Sequence, residues 1–177
     1  MKKNVYLIFL LIFSLNQSQI RKSIEAYRFT NPPIIDGKLD DIEWQNIKPA
    51  KNFTFIRPET KAGEKLPDDY KSKVYLGYDN NAIYVGAQLN HPNPENIPKE
   101  FGPRDIGIFS KSEAFWISLD TYDDRSNYFS FFVTSAGTIA DLFQSGDKGD
   151  INYDTVFDAK IDINENGWSL EIFIPYS

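Results

Sequence analysis

Cysteine is absent from this chain of 177 residues, and histidine and methionine occur once each, as His91 and Met1. Without Cys there is no disulfide, no thiolate nucleophile and no Cys-based zinc or iron–sulfur site. A single His and a single Met also leave nothing for paired His/Met ligation of haem. Cations are in the minority: 19 Lys and Arg stand against 25 Asp and Glu, a formal charge of −6. A general binder of phosphate backbones needs clustered Lys and Arg, so no nucleic-acid partner is expected. Long hydrophobic runs are lacking too. The apolar run Val5 to Phe13 is far shorter than the roughly 20 residues of a spanning helix. Lys2 and Lys3 precede it and the polar stretch Ser14 to Gln19 follows, which together read as a secretory signal peptide over residues 1–19. The mature chain is therefore expected to be exported: periplasmic, outer-membrane-associated or extracellular. No Cys follows the run, so a lipoprotein anchor is excluded. A disulfide-free exported fold must rely on its core.

What the chain has in excess is aromatic side chains, with Phe 14, Tyr 10 and Trp 3. They serve a core, a ligand platform, or both. From Ile20 onward the sequence breaks into short alternating segments. Asp36-Gly37 is a turn dipeptide, and Asp40 is a fair N-cap for a short helix whose apolar side is Leu39, Ile42, Trp44 and Ile47. Residues 61–69 read as a charged surface loop. Ser72–Asp79 and Ala82–Leu89 form a hairpin around Asp79-Asn80-Asn81. Residues 90–108 are a long Pro- and Gly-rich connection, a length that is usually functional or disordered. Glu113–Thr121, Asn127–Thr134 and Thr138–Phe143 follow as strands, then a polar loop over 144–150. Asp158–Ile163 and Trp168–Ile174 close a last hairpin around Asn166-Gly167. Many short strands at near-regular spacing predict an all-β, antiparallel β-sandwich with one short helix, formed by residues 20–177. The strand-quality segment Trp168 to Pro175 runs almost to Ser177, so the sandwich is expected to be incomplete and the chain to be the front of a longer protein.

Strand alternation sorts the rings. Phe115, Ile117 and Leu119 share one face of their strand, leaving Trp116 on the other with Ser118 and Asp120. Phe129, Phe131 and Val133 likewise share a face, opposite Tyr128, Ser130, Phe132 and Thr134. Trp116 and Phe132 thus sit among polar neighbours and are the best platform candidates. The acids Glu113, Asp120, Asp123, Asp124, Asp147 and Asp150 raise the question of glycoside hydrolysis, which needs two carboxyls about 5–9.5 Å apart across a cleft. Asp123-Asp124 reads more simply as a turn, so no catalytic residue is assigned. Calcium is the one metal such loops could hold, but no EF-hand spacing is present and solvated loops are expected. His91, between Asn90 and Pro92, reads as an ordinary loop residue.

Several pieces in order carry a resemblance. They are Pro33-Ile34-Ile35-Asp36-Gly37-Lys38-Leu39-Asp40 with Trp44, Val74-Tyr75-Leu76-Gly77-Tyr78-Asp79 with Ile83-Tyr84-Val85, and Leu119-Asp120-Thr121-Tyr122-Asp123-Asp124-Arg125. Gly137 with Asp141, and Gly167-Trp168 with Glu171, Ile174 and Pro175, complete the set. The set resembles the family 9 carbohydrate-binding module, a DOMON-like β-sandwich, in the version at the N-terminus of large exported Bacteroidetes proteins with a C-terminal domain of unknown function. The resemblance spans roughly residues 27–177. It implies a non-catalytic module binding a polysaccharide or oligosaccharide, linked to carbohydrate catabolism and O-glycosyl hydrolases, with structural calcium in some members. Its alternative implication is a structural domain docking on the C-terminal domain of its own parent protein. The resemblance also implies two Trp side chains sandwiching the sugar, and a Glu and an Arg on adjoining strands binding its hydroxyls. The Glu position falls on Trp116 and the Arg position on Phe132. One clamp position falls in the loop before Glu113, where Phe109 stands, and the other lies beyond Ser177. Trp116, Phe132 and Phe109 are therefore the expected ligand-binding residues.

Overall fold

The computed structural model of the chain describes residues 22–105 and 111–176. The expected signal peptide and Phe109 lie outside the described residues. Among the described residues, nine strands form two sheets. The larger holds β1 (Tyr27–Arg28), β2 (Ser72–Tyr78), β3 (Ala82–Asn90), β8 (Asp158–Asn164) and β9 (Gly167–Pro175), in the order β1-β2-β3-β9-β8. The smaller has the order β4-β5-β6-β7, from Ala114–Leu119, Asn127–Thr134, Ile139–Ser145 and Lys148–Asp150. One short helix, α1, spans Ile42–Gln45. The β-sandwich expected from the strand spacing is present.

Period-2 alternation builds the core. Val85 and Ala87 of β3 and Trp168, Leu170, Ile172 and Ile174 of β9 face Phe131 and Val133 of β5, with Ile97 and Phe157 closing the layer. The other face of the large sheet is covered as well. Tyr84 and Ala82 there meet Phe29, Trp44 and Ile47 from the N-terminal segment and α1, and Phe29 packs edge-on against both Trp44 and Tyr84. Two turns need glycine. Gly167 has φ 140°, and a Cβ there would lie 2.1 Å from the Leu89 carbonyl oxygen. Gly37, at φ 94°, lies flat on the backbone of Ile161.

Three expectations are corrected. Pairing is not wholly antiparallel, because β1 runs parallel to β2. Asp41, not Asp40, precedes α1, and its carboxylate accepts the Ile34 N–H at 2.8 Å instead of capping the helix. The polar loop over 144–150 is a hairpin, with β7 returning along Phe143 to Ser145.

Alternation also places Glu171 on the covered face of β9, opposite Gly86. It is fully buried. Its carboxylate accepts the Trp44 indole N–H at 2.7 Å and the backbone N–H groups of Asp36 and Gly37 at 2.8 Å each. Burial pushes its carboxyl above the ordinary value, and these donors pull the other way. Glu171 thus ties the N-terminal segment to the last strand.

Candidate functional site

The outer face of the small sheet is open at Trp116, although Ser130, Thr134 and Ala140 on the same face are buried. In the β4–β5 register Trp116 stands opposite Phe132, and Ser118 opposite Ser130. The sequence pair predicted as a platform is brought together: the ring centroids lie 4.8 Å apart at 33°. Trp116 is 58% exposed and Phe132 is half-buried. The indole N–H of Trp116 donates to Ser118 Oγ at 2.8 Å, which in turn shares a hydrogen bond of 2.8 Å with Ser130 Oγ. That chain of polar contacts holds the indole by its N–H. The remaining outward positions of these strands are Ala114, Tyr128 and Thr134; Ser130 and Thr134 are buried, so what this face presents is chiefly the indole of Trp116. Such a ring can stack the C–H face of a pyranose, while the hydroxyls of Ser118, Ser130 and Thr134 are bonded within the protein.

The acids are occupied elsewhere. Asp120 accepts backbone N–H groups from Tyr122, Asp124 and Arg125. Asp124 accepts those of Ser126 and Asn127, which holds its carboxyl below the usual range together with the Asn127 side-chain amide. Asp150 accepts the Asn152 N–H. These carboxylates shape turns.

A second concavity, of about 670 Å³, opens at one end of the sandwich between Phe55, Leu66, Tyr70, Leu89 and Trp168. Glu113 is the one carboxylate among its lining residues, short of the pair that hydrolysis requires. Its Oε2 accepts the Trp168 indole N–H at 2.9 Å, and its Oε1 lies 3.4 Å from His91 Nε2. His91 Nδ1 accepts the Asn93 N–H at 3.0 Å, which selects the tautomer with hydrogen on Nε2. Tyr70 packs edge-on against the imidazole. His91 is therefore not an ordinary loop residue. It pins the long connection to the sandwich, an arrangement that no local sequence signal marks.

The third polar cluster sits beside β6. Asp141, with a side chain only 1% exposed, binds Arg104 at 2.6 Å, and the same guanidinium reaches Asp154 at 2.9 Å and lies 3.8 Å from Asp105. Calcium does not fit there, because Arg104 already supplies the positive charge between the carboxylates. Among the described residues no group of three or more acids and histidines is placed to hold a metal ion.

Comparison with solved structures follows the same geometry. A family 9 carbohydrate-binding module from Caldicellulosiruptor kristjanssonii in complex with cellotriose superposes with a TM-score of 0.59, over 88% of this chain and 68% of that chain, at 21% identity. The same organism's module in complex with glucose gives 0.59 over 89% and 70%, at 22% identity. The fold is that of the family 9 modules. At this identity the shared property is the fold. No family model matches the sequence, and no curated protein matches it. Within the family 9 fold, Trp116 and Phe132 are direct cross-strand partners. The two positions that the resemblance assigns to a Glu and an Arg thus carry a pair of rings that contact one another.

Proposed function

We propose that this chain is a non-catalytic carbohydrate-binding module of an exported protein, and that Trp116 and Phe132 form its stacking platform. The observation that carries the proposal is the exposed indole of Trp116, packed at 33° to Phe132 and hydrogen-bonded to Ser118. The fold neighbours in complex with cellotriose and glucose support a sugar as ligand. The occupied turn acids support a binding role, and hydrolysis belongs to other parts of the parent protein, whose work is carbohydrate catabolism. Binding here depends on stacking, because the charged ligands implied for the family are replaced by Trp116 and Phe132.

Titration of Trp fluorescence with cello-oligosaccharides and a panel of soluble glycans tests this reading. Saturable quenching is expected, and Trp116→Ala weakens it by about tenfold or more, the loss typical of a central aromatic anchor. Flat isotherms across the panel, or quenching that survives Trp116→Ala, overturn it.

One observation favours a second reading, in which the domain is structural and docks on the C-terminal domain of a larger outer-membrane-associated protein. The indole N–H of Trp116 is already satisfied by Ser118, so the platform makes a dry protein contact at no polar cost. Flat glycan isotherms combined with binding to the parent protein's C-terminal domain distinguish this reading.

A further inference from the structure

Charge is unevenly spread along the chain. Residues 48–73 carry seven Lys and Arg against four Asp and Glu, whereas residues 74–177 carry six against sixteen. The fold gathers part of the first set on one margin of the large sheet. Two grooves meet there, of about 520 and about 240 Å³. Lys22, Lys48 and Lys51 line the larger groove, and Lys65 and Lys71 line the smaller. Asn52 and Phe53 line both, and Phe53 is 38% exposed. An open aromatic side chain therefore stands between two sets of lysines.

The lysines are exposed, and most lack a partner of their own. Lys71 holds Asp68, the one carboxylate among these lining residues, at 2.7 Å. Lys22 donates to the Asn52 carbonyl at 2.6 Å, which ties the N-terminal segment to the groove wall. Lys48, Lys51 and Lys65 make no ion pair among the described residues. Elsewhere the exposed Lys38 and Lys160 each lie against an aspartate. Like charges gathered without counter-charge repel one another, and an anion from outside relieves that repulsion.

Loops build these walls, and no open sheet edge takes part. The margin of β2 beside them is already paired: Ala50 and Val74 exchange backbone hydrogen bonds of 2.7 and 3.1 Å. Thr54 bridges to Lys65 in the same way. None of the core side chains lines either groove.

We propose that this margin is a second glycan site, and that its ligand is a polyuronate, a polysaccharide with a carboxylate on successive rings. One sugar ring stacks on Phe53. The carboxylates on either side of it meet Lys48 and Lys51 in one groove and Lys65 in the other. Three features select this chemistry. Two joined grooves take a chain in place of a single ion. Phe53 takes a flat C–H face, which a run of Asp and Glu does not present. The cations are all Lys, compact point charges without the planar fork by which Arg grips phosphate. The acidic remainder of the chain repels such a polymer elsewhere and steers it to this margin. The site stands apart from the Trp116 platform and does not depend on it.

Titration calorimetry of the whole chain with oligogalacturonate tests the proposal. Saturable binding is expected at low salt, and raising salt to about 0.5 M weakens it about tenfold. Lys51→Gln combined with Lys65→Gln weakens it by about tenfold as well, with the circular dichroism spectrum unchanged. Phe53→Ala weakens it about fivefold. Trp116→Ala leaves it unchanged, and the lysine pair leaves quenching by cello-oligosaccharides unchanged, so failure of this site and failure of the platform are read separately. Absence of binding at low salt overturns the proposal, as does binding that survives the lysine pair or Phe53→Ala. Binding lost with Trp116→Ala overturns it too, by returning the polymer to the platform. A polyglutamate peptide that binds as tightly, indifferent to Phe53→Ala, assigns the margin to an acidic protein partner and likewise overturns it.

Discussion

Each sheet of this sandwich displays a tryptophan on its outer face, and the two have opposite fates. Trp44 lies over the large sheet, 1% exposed, with its indole N–H on the buried carboxylate of Glu171. Trp116 lies on the small sheet, 58% exposed, with its N–H on the hydroxyl of Ser118. The hydrogen bonds have nearly equal lengths, 2.7 and 2.8 Å, so pairing of the indole does not distinguish structure from function. Cover does. The chain folds its own residues 29–47 over Trp44's side of the large sheet and leaves Trp116 exposed.

The sharpest break of this comparison is Trp44→Ala. It removes a buried ring and takes one donor from Glu171, so a loss of about 3–5 kcal/mol is expected in urea unfolding. Trp116→Ala should cost under about 1 kcal/mol in the same assay while abolishing most glycan binding. Equal losses from the two would mean that the open face is as structural as the closed one.

Glu171→Gln comes next. The amide keeps the shape but turns a donor toward donors, which costs about 1–3 kcal/mol. It also changes the response to acid. The raised carboxyl of Glu171 binds a proton in the folded state before the unfolded one does. Melting temperature should therefore rise as pH falls through the folded value toward 4.5, the ordinary value. The Gln variant should lack that rise. A melting curve against pH checks both.

The smallest effect belongs to the exposed hairpin loop beyond Trp116. Asp124 is held below its ordinary value of 3.8 by Asn127 and Ser126. Its contribution is present above 3.8 and is lost as pH falls through the folded value. Asp124→Asn should flatten only this acid limb and leave the melting temperature at neutral pH nearly unchanged.

Much of the open face was legible in the sequence, because strand alternation is local. The pattern Phe115, Ile117, Leu119 against Trp116, Ser118 sufficed to put Trp116 and Phe132 on one surface, and the register makes them cross-strand partners. The closed face was less legible. Alternation puts Glu171 opposite the core residues of β9, where solvent is the natural expectation, and its cover arrives from Asp36, 135 residues away. The same distance problem hid the pairing of His91 with Glu113 and the seat of Arg104 among carboxylates. Each depends on which loops meet, and periodicity carries no such information. β7 was missed for a different reason: Lys148-Gly149-Asp150 has turn composition and is a strand only because β6 lies beside it.

The bond from Asp36 to Glu171 also sets an order of events in time. Asp36 has its partner on β9, so the outer face of the large sheet cannot close before β9 has been made. Until then Trp44 and Phe29 have no finished surface to rest on. Contacts of such sequence separation slow folding. Covering of this face by Trp44 and Phe29 therefore waits on the pairing of β9 with β3.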